Sequence, residues 1–293
     1  MYALTGITGN VGGAKGNALL EQGRPVRAIV RDPAKGLAWG ARGCEAAIAR
    51  IEDGEALTAA FAGTKAVFIV PPSEFDPAAG YVEARREIDA IVTALTIARP
   101  AKIVCLSTIG ADAPQDNLLT QRMLLEQALS ALPIPVTFLR PAWFLENAAA
   151  DVVSACQEGV IRSFLAPLDK GFPMVATKDI GMLAARLIQE DWSGQRIVEL
   201  EGPRRVSPKD LAAAFAEALR RPVRAEILPR ESWEVILRAQ GAINPYPRIR
   251  MLDGFNEGWI DFAERGANAI KGSTGIKEVV ASIVQAALSH QPS

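Results

Sequence analysis

The sequence predicts an α/β fold, a doubly wound parallel sheet with a smaller C-terminal α+β lobe, on three observations. A turn with three glycines at a spacing of three, Gly6, Gly9 and Gly12 in TGITGNVG, separates a strand-like run from a helical one. Short apolar runs then alternate with helical patterns as far as VTFLR, as parallel strands joined by crossover helices do. Beyond Asn147 that rhythm stops, and loops rich in Pro, Gly and aromatic residues such as FLAPLDKGFPMV take over.

Each element follows in order. Tyr2, Ala3 and Leu4 read as the first strand, and the stretch ending in Leu19 and Leu20 as the first helix. In such a strand–turn–helix unit the first glycine reverses the chain, the second lets the backbone approach a pyrophosphate, and the third lets helix and strand pack closely. The phosphate sits on free N–H groups at the positive end of the helix dipole. This is a Rossmann-type signature, and its expected dinucleotide contacts are Gly6, Thr8, Gly9, Asn10, Val11 and Gly12. Strands follow at VRAIV, EAAIA, AVFIV, KIVCLS and VTFLR, with a short helix at residues 57–61, a long one at 82–98 and another at 120–131. After residue 147 come a helix at 178–189, the strand-like RIVELEG, a helix at 208–220 and an aromatic-bearing tail. Ligands of doubly wound sheets lie beyond the carboxyl ends of the strands. The segments to inspect are therefore residues 6–12, 31–35, 50, 70–73, 107–110 and 141–147.

Composition narrows the chemistry. The 32 Lys and Arg nearly balance the 33 Asp and Glu, so no basic footprint invites nucleic acid or an anionic membrane, and a small ligand is expected. No apolar run has the length of a membrane span, and the first strand starts at residue 2, so the cytoplasm is the expected location. Cys44, Cys105 and Cys156 are too far apart for a disulfide framework or a metal knuckle, and no metal is expected. The single histidine, His290, lies at the end of the last helical pattern, where it reads as a tail or C-cap residue. Triad hydrolases and His-ligated metalloenzymes, which need an imidazole in the site, are thereby disfavoured. Of three tyrosines, Tyr2 is at the wrong end of its strand, leaving Tyr81 and Tyr246 as candidate phenol acids.

Taken together, TGITGNVG, VRAIVRDPAK, LSTIGAD and VTFLRPAWFLEN resemble the NmrA-like family of atypical short-chain dehydrogenases, as do the later segments MVATKDIGMLAARLI and ELEGPRRVSPKDLAAAFAEALRRPV. The resemblance covers nearly the whole chain. It implies an NADP(H)-binding domain over residues 1–150, to which 175–200 return, and a substrate lobe built from 151–174 and 201–293. The family's activities range from quinone, ketone and benzylic-ether reduction to redox sensing without turnover.

The end of the second strand chooses between cofactors, because a carboxylate there takes the ribose hydroxyls of NAD whereas a cation takes the 2′-phosphate of NADP. Here the strand runs into Arg31. Asp32 can be read as the NAD-type carboxylate, but Asp-Pro-Ala-Lys also reads as a helix N-cap with Pro at the first helical position, and that reading is preferred. NADP(H) is then favoured over NAD(H), with Arg31 and Lys35 on the phosphate; the alternative for both is a solvated surface pair. The resemblance implies an aspartate after the third strand for the adenine, and this sequence has Arg50. Arg50 can stack on the adenine or add a second cation, while Asp53 is expected to cap the next helix. Val70, Pro71, Pro72, Ser107 and Pro141 complete the expected cofactor contacts.

Short-chain dehydrogenases also use a Ser, a Tyr and a Lys four residues after it. Ser107 and Thr108 fall in the serine region, but counting back from Glu126 places Arg122 near the lysine position and Leu118 near the tyrosine position. The phenol is missing, and an arginine is a poor proton donor. Arg122 is thus a cofactor-binding candidate or a surface residue of an amphipathic helix. Ser107, Thr108 and Tyr81 remain weak catalytic candidates, with Asp76 and Tyr81 in a loop that can close over the nicotinamide. Trp143, Phe144, Asn147 and Tyr246 are expected to face the substrate; Phe164, Phe172, Met174, Trp233, Phe255 and Trp259 are weaker candidates that read mainly as core. Three functions stay open: an NADPH-dependent reductase of a quinone or related apolar cyclic carbonyl, a sensor of NADP(H) that acts through a protein partner, and a pathway enzyme with non-reductive chemistry.

Overall fold

The structure, a computed structural model, describes residues 1–72 and 74–289. The expectations for Ser73 and His290 fall outside these residues. The first half alternates as the sequence pattern requires: β1 (Tyr2–Leu4), α1 (Asn10–Glu21), β2 (Val26–Val30), α2 (Pro33–Gly40), β3 (Glu45–Ile48), α3 (Gly54–Phe61), β4 (Ala66–Ile69), α4 (Val82–Ala98), β5 (Lys102–Leu106), α5 (Thr120–Ser130) and β6 (Val136–Pro141). Local chemistry sets several boundaries. Asp32 accepts from the N–H of Ala34 at 2.9 Å with Pro33 at the helix start, and Asp53 accepts from Ala56 N–H at 3.0 Å, so both carboxylates cap helices as expected.

The chain continues through β7 (Trp143–Phe144), a 3₁₀ segment (Leu145–Asp151), α6 (Val152–Glu158), β8 (Val160–Ser163), β9 (Met174–Val175), α7 (Thr177–Leu187) and β10 (Gln195–Glu201). Then come α8 (Pro208–Leu219), β11 (Arg224–Ile227), α9 (Trp233–Ala239), α10 (Tyr246–Glu257), β12 (Ile270–Lys271) and α11 (Ile276–Ser289). A capping box between Ser207 and Asp210 starts α8, and left-handed Arg220 stops it. The helices expected at 120–131, 178–189 and 208–220 thus form within two residues of those bounds.

Eight strands form one sheet in the order β12-β10-β6-β5-β4-β1-β2-β3. Parallel ladders align Leu4 with Ala28 and Phe68, Val30 with Ile48, Ile69 with Cys105 and Leu106 with Leu139. The six N-terminal strands therefore reproduce the doubly wound order, with its topological switch between β1 and β4. On one face Val67, Ile69, Ile103, Cys105, Val136 and Phe138 pack with Leu57, Phe61, Ile91, Leu95, Leu125 and Leu129 of α3, α4 and α5. Alternate residues such as Phe68 face α1, which packs against α7.

The backbone groups into two compact units. The first comprises Met1–Asp112, Leu119–Arg140 and Thr177–Val198; the second comprises Ala113–Leu118, Pro141–Ala176 and the chain from Glu199 onward. The second unit carries the small ladders β8–β11 and β7–β9. No helix among the described residues is long and apolar enough to cross a membrane.

Candidate functional site

At the switch point the glycine turn has a division of labour that the geometry makes explicit. Gly6 is left-handed (φ 63°), and a Cβ there would also lie 2.8 Å from the Val70 side chain. A Cβ on Gly12 would lie 2.2 Å from the Gly6 carbonyl oxygen, so the helix could not approach the turn. Gly9 is different: it is extended (φ −92°, ψ 173°), exposed, and a Cβ would meet only the Gly6 oxygen at 3.5 Å. Nothing inside the protein asks for glycine at this position. A ligand drawn close to the N-cap does, because a side chain would stand where the ligand meets the backbone.

The N–H groups of Asn10, Val11 and Gly12 precede the first intrahelical bond, from Gly13 N–H to the Gly9 oxygen at 2.7 Å. Val11 and Gly12 are buried, and Thr8, Gly9 and Asn10 are exposed around them. Thr5 ties the crevice together: its hydroxyl accepts from Val70 N–H at 2.7 Å and donates to the Phe68 carbonyl at 3.2 Å. A bare cradle of helix N–H groups with a glycine facing solvent fits a diphosphate.

The ladder registers bring Arg31, Arg50, Val70 and Ser107 to the same carboxyl edge of the first unit. Beyond β2, Arg31 and Lys35 are exposed and have no hydrogen-bond or ion-pair partner among the described residues, while Asp32 is engaged as a cap. Beyond β3, Arg50 is exposed and donates to Glu52 at 2.6 Å, so the cation that replaces the expected aspartate is itself paired. Beyond β4, Val70 is half-buried, Pro71 buried and Pro72 exposed. Arg122, in the first turn of α5, donates to the carbonyls of Pro71 (3.3 Å) and Pro72 (3.0 Å). Its guanidinium holds that loop rather than standing free on an amphipathic surface. Leu118 lies ahead of α5, buried, with its N–H on the Pro247 carbonyl at 2.9 Å.

Beyond β5 and β6 stands a network that the sequence reading did not foresee. Arg140 donates to both oxygens of Glu126 (2.9 and 2.7 Å) and to Asp112 at 2.6 Å. Burial by itself lowers the Arg140 pKa, but the Glu126 and Asp112 carboxylates outweigh it and raise the value. The Ser107 hydroxyl, buried, donates to Glu126 at 2.5 Å. Its only proton is thus committed, so toward any further partner the Ser107 hydroxyl can only accept. Thr108, next to it, is half-buried. The only signal in the sequence is a glutamate in the helix before an Arg-Pro strand end, and nothing in that spacing announces a salt bridge across 14 residues.

Tyr81 is half-buried and left-handed (φ 58°) at the N-cap of α4, and Asp76 accompanies it in the same loop. Pro141 closes β6, buried. In the second unit, Trp143 and Phe144 form β7 against Met174 and Val175 and are each half-buried, whereas Asn147 and Tyr246 are exposed. Trp143 meets Phe255 edge-to-face, ring centroids 5.3 Å apart. Phe172, Met174, Trp233 and Phe255 are core, as their apolar setting suggested; Phe164 and Trp259 are half-buried. Among the described residues no cluster of His, Cys, Asp and Glu is placed to hold a metal.

A second feature missed in the sequence is Lys15, wholly buried on the sheet-facing side of α1 with no hydrogen-bond partner, its Nζ 3.5 Å from the centre of the Phe68 ring. Its spacing four residues after Val11 and four before Leu19 places a cation on the apolar face of the helix.

Comparison with known proteins gives the family and the fold. A family model described as NmrA-like family matches residues 2–286. The chain is 28% identical over 244 residues to NAD(P)H azoreductase of Xenophilus azovorans and, over the same length, to quinone oxidoreductase 2 of Escherichia coli, covering 82% of each protein and 82% of this chain. Among solved structures, the NADPH complex of an Escherichia coli NADPH-dependent quinone oxidoreductase superposes with a TM-score of 0.77 at 24% identity, over 97% of this chain and 99% of that one. The Citrobacter sp. triphenylmethane reductase complexed with NADP(H) gives 0.79 at 21%, over 96% and 99%. At these identities the superpositions show the fold alone.

Proposed function

The chain belongs to the NmrA-like family, and on that premise we propose that it is an NADPH-dependent reductase that passes hydride to a quinone or a related apolar cyclic carbonyl. The observation that carries the reading is the glycine cradle whose middle glycine has no internal reason to be glycine, with the exposed, unpartnered Arg31 at the next strand end. Relatives that the chain matches over most of their length are an NAD(P)H azoreductase and a quinone oxidoreductase, which supports NADP(H) as cofactor and reduction as the chemistry.

When bound, NADPH supplies the hydride. The backbone N–H groups of Asn10, Val11 and Gly12 hold the diphosphate, Arg31 with Lys35 takes the 2′-phosphate, and Arg50, paired with Glu52, offers the flat face of its guanidinium to the adenine side. At the other half of the edge Arg122 fixes the Pro71–Pro72 loop, and Ser107, its proton given to Glu126, accepts a hydrogen bond from a ribose hydroxyl or carboxamide N–H. Trp143 and Phe144 offer apolar surface for the acceptor. Neither Ser107 nor Arg122 is a proton donor at neutral pH. A quinone is the carbonyl acceptor least harmed by that lack, because hydride addition gives a stabilised hydroquinone anion that water protonates.

Calorimetric titration tests the cofactor reading. NADPH should bind at least about tenfold more tightly than NADH, and Arg31→Ala should remove most of the difference. Equal affinities would refute the assignment of Arg31. Stopped-flow mixing with NADPH and a panel of quinones and cyclic ketones tests turnover, with quinones expected to oxidise the nicotinamide fastest. The committed Ser107 proton also suits a protein that binds the nucleotide without turnover; absence of oxidation across the panel with NADPH bound would favour that sensor, and nucleotide-dependent pull-down of a partner would support it.

A further inference from the structure

Lys15 stands on the buried face of α1, where an apolar side chain would fit without the cost of desolvating an amine. The residue is wholly buried, its Nζ has no hydrogen-bond partner among the described residues, and the centre of the Phe68 ring lies 3.5 Å from that atom. On the outer side α7 closes over α1: a Cβ on Gly181 would lie 2.5 Å from the Ala14 Cβ and 2.9 Å from the Lys15 backbone nitrogen. The charged residues on the elements packed around it are Glu21 on α1 itself, Arg27 on β2, and Lys178, Asp179 and Arg186 on α7, while β1 and β4 carry none. Arg27 is engaged by Glu45 and by the Ala60 and Ala62 carbonyls. None of these charges offsets the burial, which holds the amine's pKa well below the usual 10.5.

Two independent counts place this amine under the glycine turn. Along the sheet, Phe68 is in register with Leu4, two residues before Gly6, which at about 3.3 Å per residue sets its level about 7 Å below the turn. Along the helix, Lys15 follows Gly12 by three residues, about 4.5 Å at a rise of about 1.5 Å per residue, and helical side chains lean back toward the N-terminus. The Nζ therefore lies within about 10 Å of the N–H groups of Asn10, Val11 and Gly12. It stands on the inner side of a cradle whose outer side, at Thr8, Gly9 and Asn10, is exposed.

We propose that Lys15 is the internal counter-charge of the nucleotide site: neutral in the free protein, it takes a proton from solvent when a diphosphate enters the cradle, and the ammonium so formed strengthens the binding. The inference rests on the reading of the cradle as the diphosphate site. Two negative charges at about 10 Å favour the ammonium by a factor of about ten or more at the effective dielectric of a protein edge, and the Phe68 ring face steadies it. The complex then holds a proton that the free protein lacks. Affinity is therefore highest below the amine's pKa in the free protein, falls as pH rises from that value to the higher one in the complex, and levels off beyond it.

Calorimetric titration of the full chain with NADPH between about pH 6 and 9, in buffers of low and of high ionisation enthalpy, counts the protons taken up on binding. Wild-type protein should take up a fraction of a proton that Lys15→Met does not, and the difference between the two cancels the titration of the 2′-phosphate itself near pH 6. The dissociation constant of Lys15→Met should lie about tenfold above that of wild type at the acid end and converge on it at the alkaline end. A substitution that acted only through its shape would weaken binding equally at every pH. Thermal melts check folding, which removal of the unpaired amine should improve. Equal proton uptake by the two proteins, no uptake by wild type, or a ratio of dissociation constants that does not change with pH would overturn the proposal and, with NADPH still bound, leave the cradle standing. Failure of wild type to bind NADPH at all would refute the cradle and the counter-charge together.

Discussion

Lys15 and Arg140 are both buried cations, and their surroundings make them opposites. The amine of Lys15 has only the Phe68 ring face beneath it. A desolvated cation–π contact is worth about 2 kcal/mol or somewhat more, against several kcal/mol for taking an unpaired ammonium out of water. Burial wins, and the pKa falls well below 10.5. The folded protein then holds fewer protons than the unfolded chain between that lowered value and 10.5, so stability rises with pH across this window. Lys15→Met should raise stability at neutral pH by about 1–3 kcal/mol and flatten the rise, as read from urea melts between pH 7 and 10. A rise with pH that persists in the variant would show that another group is responsible. Arg140 instead has Glu126 and Asp112 on its donors. Glu126→Ala leaves that guanidinium buried without its main partner and should destabilise by about 3–5 kcal/mol; the paired change Glu126→Leu with Arg140→Met should lose less, a double-mutant comparison by urea denaturation.

At the scale of elements, the β1–turn–α1 unit separates a structural glycine from a ligand-facing one. Gly12→Ala puts a methyl 2.2 Å from the Gly6 oxygen, so the turn must open and both stability and nucleotide affinity should fall. Gly9→Ala meets nothing closer than 3.5 Å. Its melting point without nucleotide should stay close to wild type, within about 0.5 kcal/mol in stability, while NADPH binding weakens sharply. Thermal melts with and without NADPH read both effects, and undiminished affinity in Gly9→Ala would remove the cradle as the diphosphate site. The same unit was legible in the sequence because its chemistry is local: strand, glycine spacing and helix lie within 20 residues, and the caps Asp32 and Asp53 act within three residues of themselves.

For the molecule as a whole, ligand binding and folding are linked. NADPH at about a hundred times its dissociation constant adds about 2.7 kcal/mol to stability, which should raise the melting temperature by roughly 5 °C or more. NADH at the same concentration should raise it less, and Arg31→Ala should bring the two shifts together. Equal shifts in wild type would contradict the NADP(H) preference. The eight-stranded sheet makes this coupling direct, because most of the residues assigned to the nucleotide follow the carboxyl ends of β1, β2, β4 and β5, strands that are buried along almost their whole length.

The sequence by itself determined the alternation of strands and helices, the doubly wound order, the glycine cradle and the helix caps, since each arises from periodicity or from contacts between near neighbours. It also showed what is missing, a phenol near α5 and an imidazole at any strand end. Only the tertiary structure decided which side chains are already engaged. The Ser107 hydroxyl, a weak catalytic candidate in the sequence, donates to Glu126; Arg122, there a cofactor-binding candidate or a surface residue, donates to the Pro71 and Pro72 carbonyls; Arg50 is paired with Glu52. The isolation of Lys15 is likewise invisible in one dimension. Whether a polar side chain is satisfied depends on partners that the sheet registers and helix packing deliver from 14 to 51 residues away, and no local pattern encodes that distance.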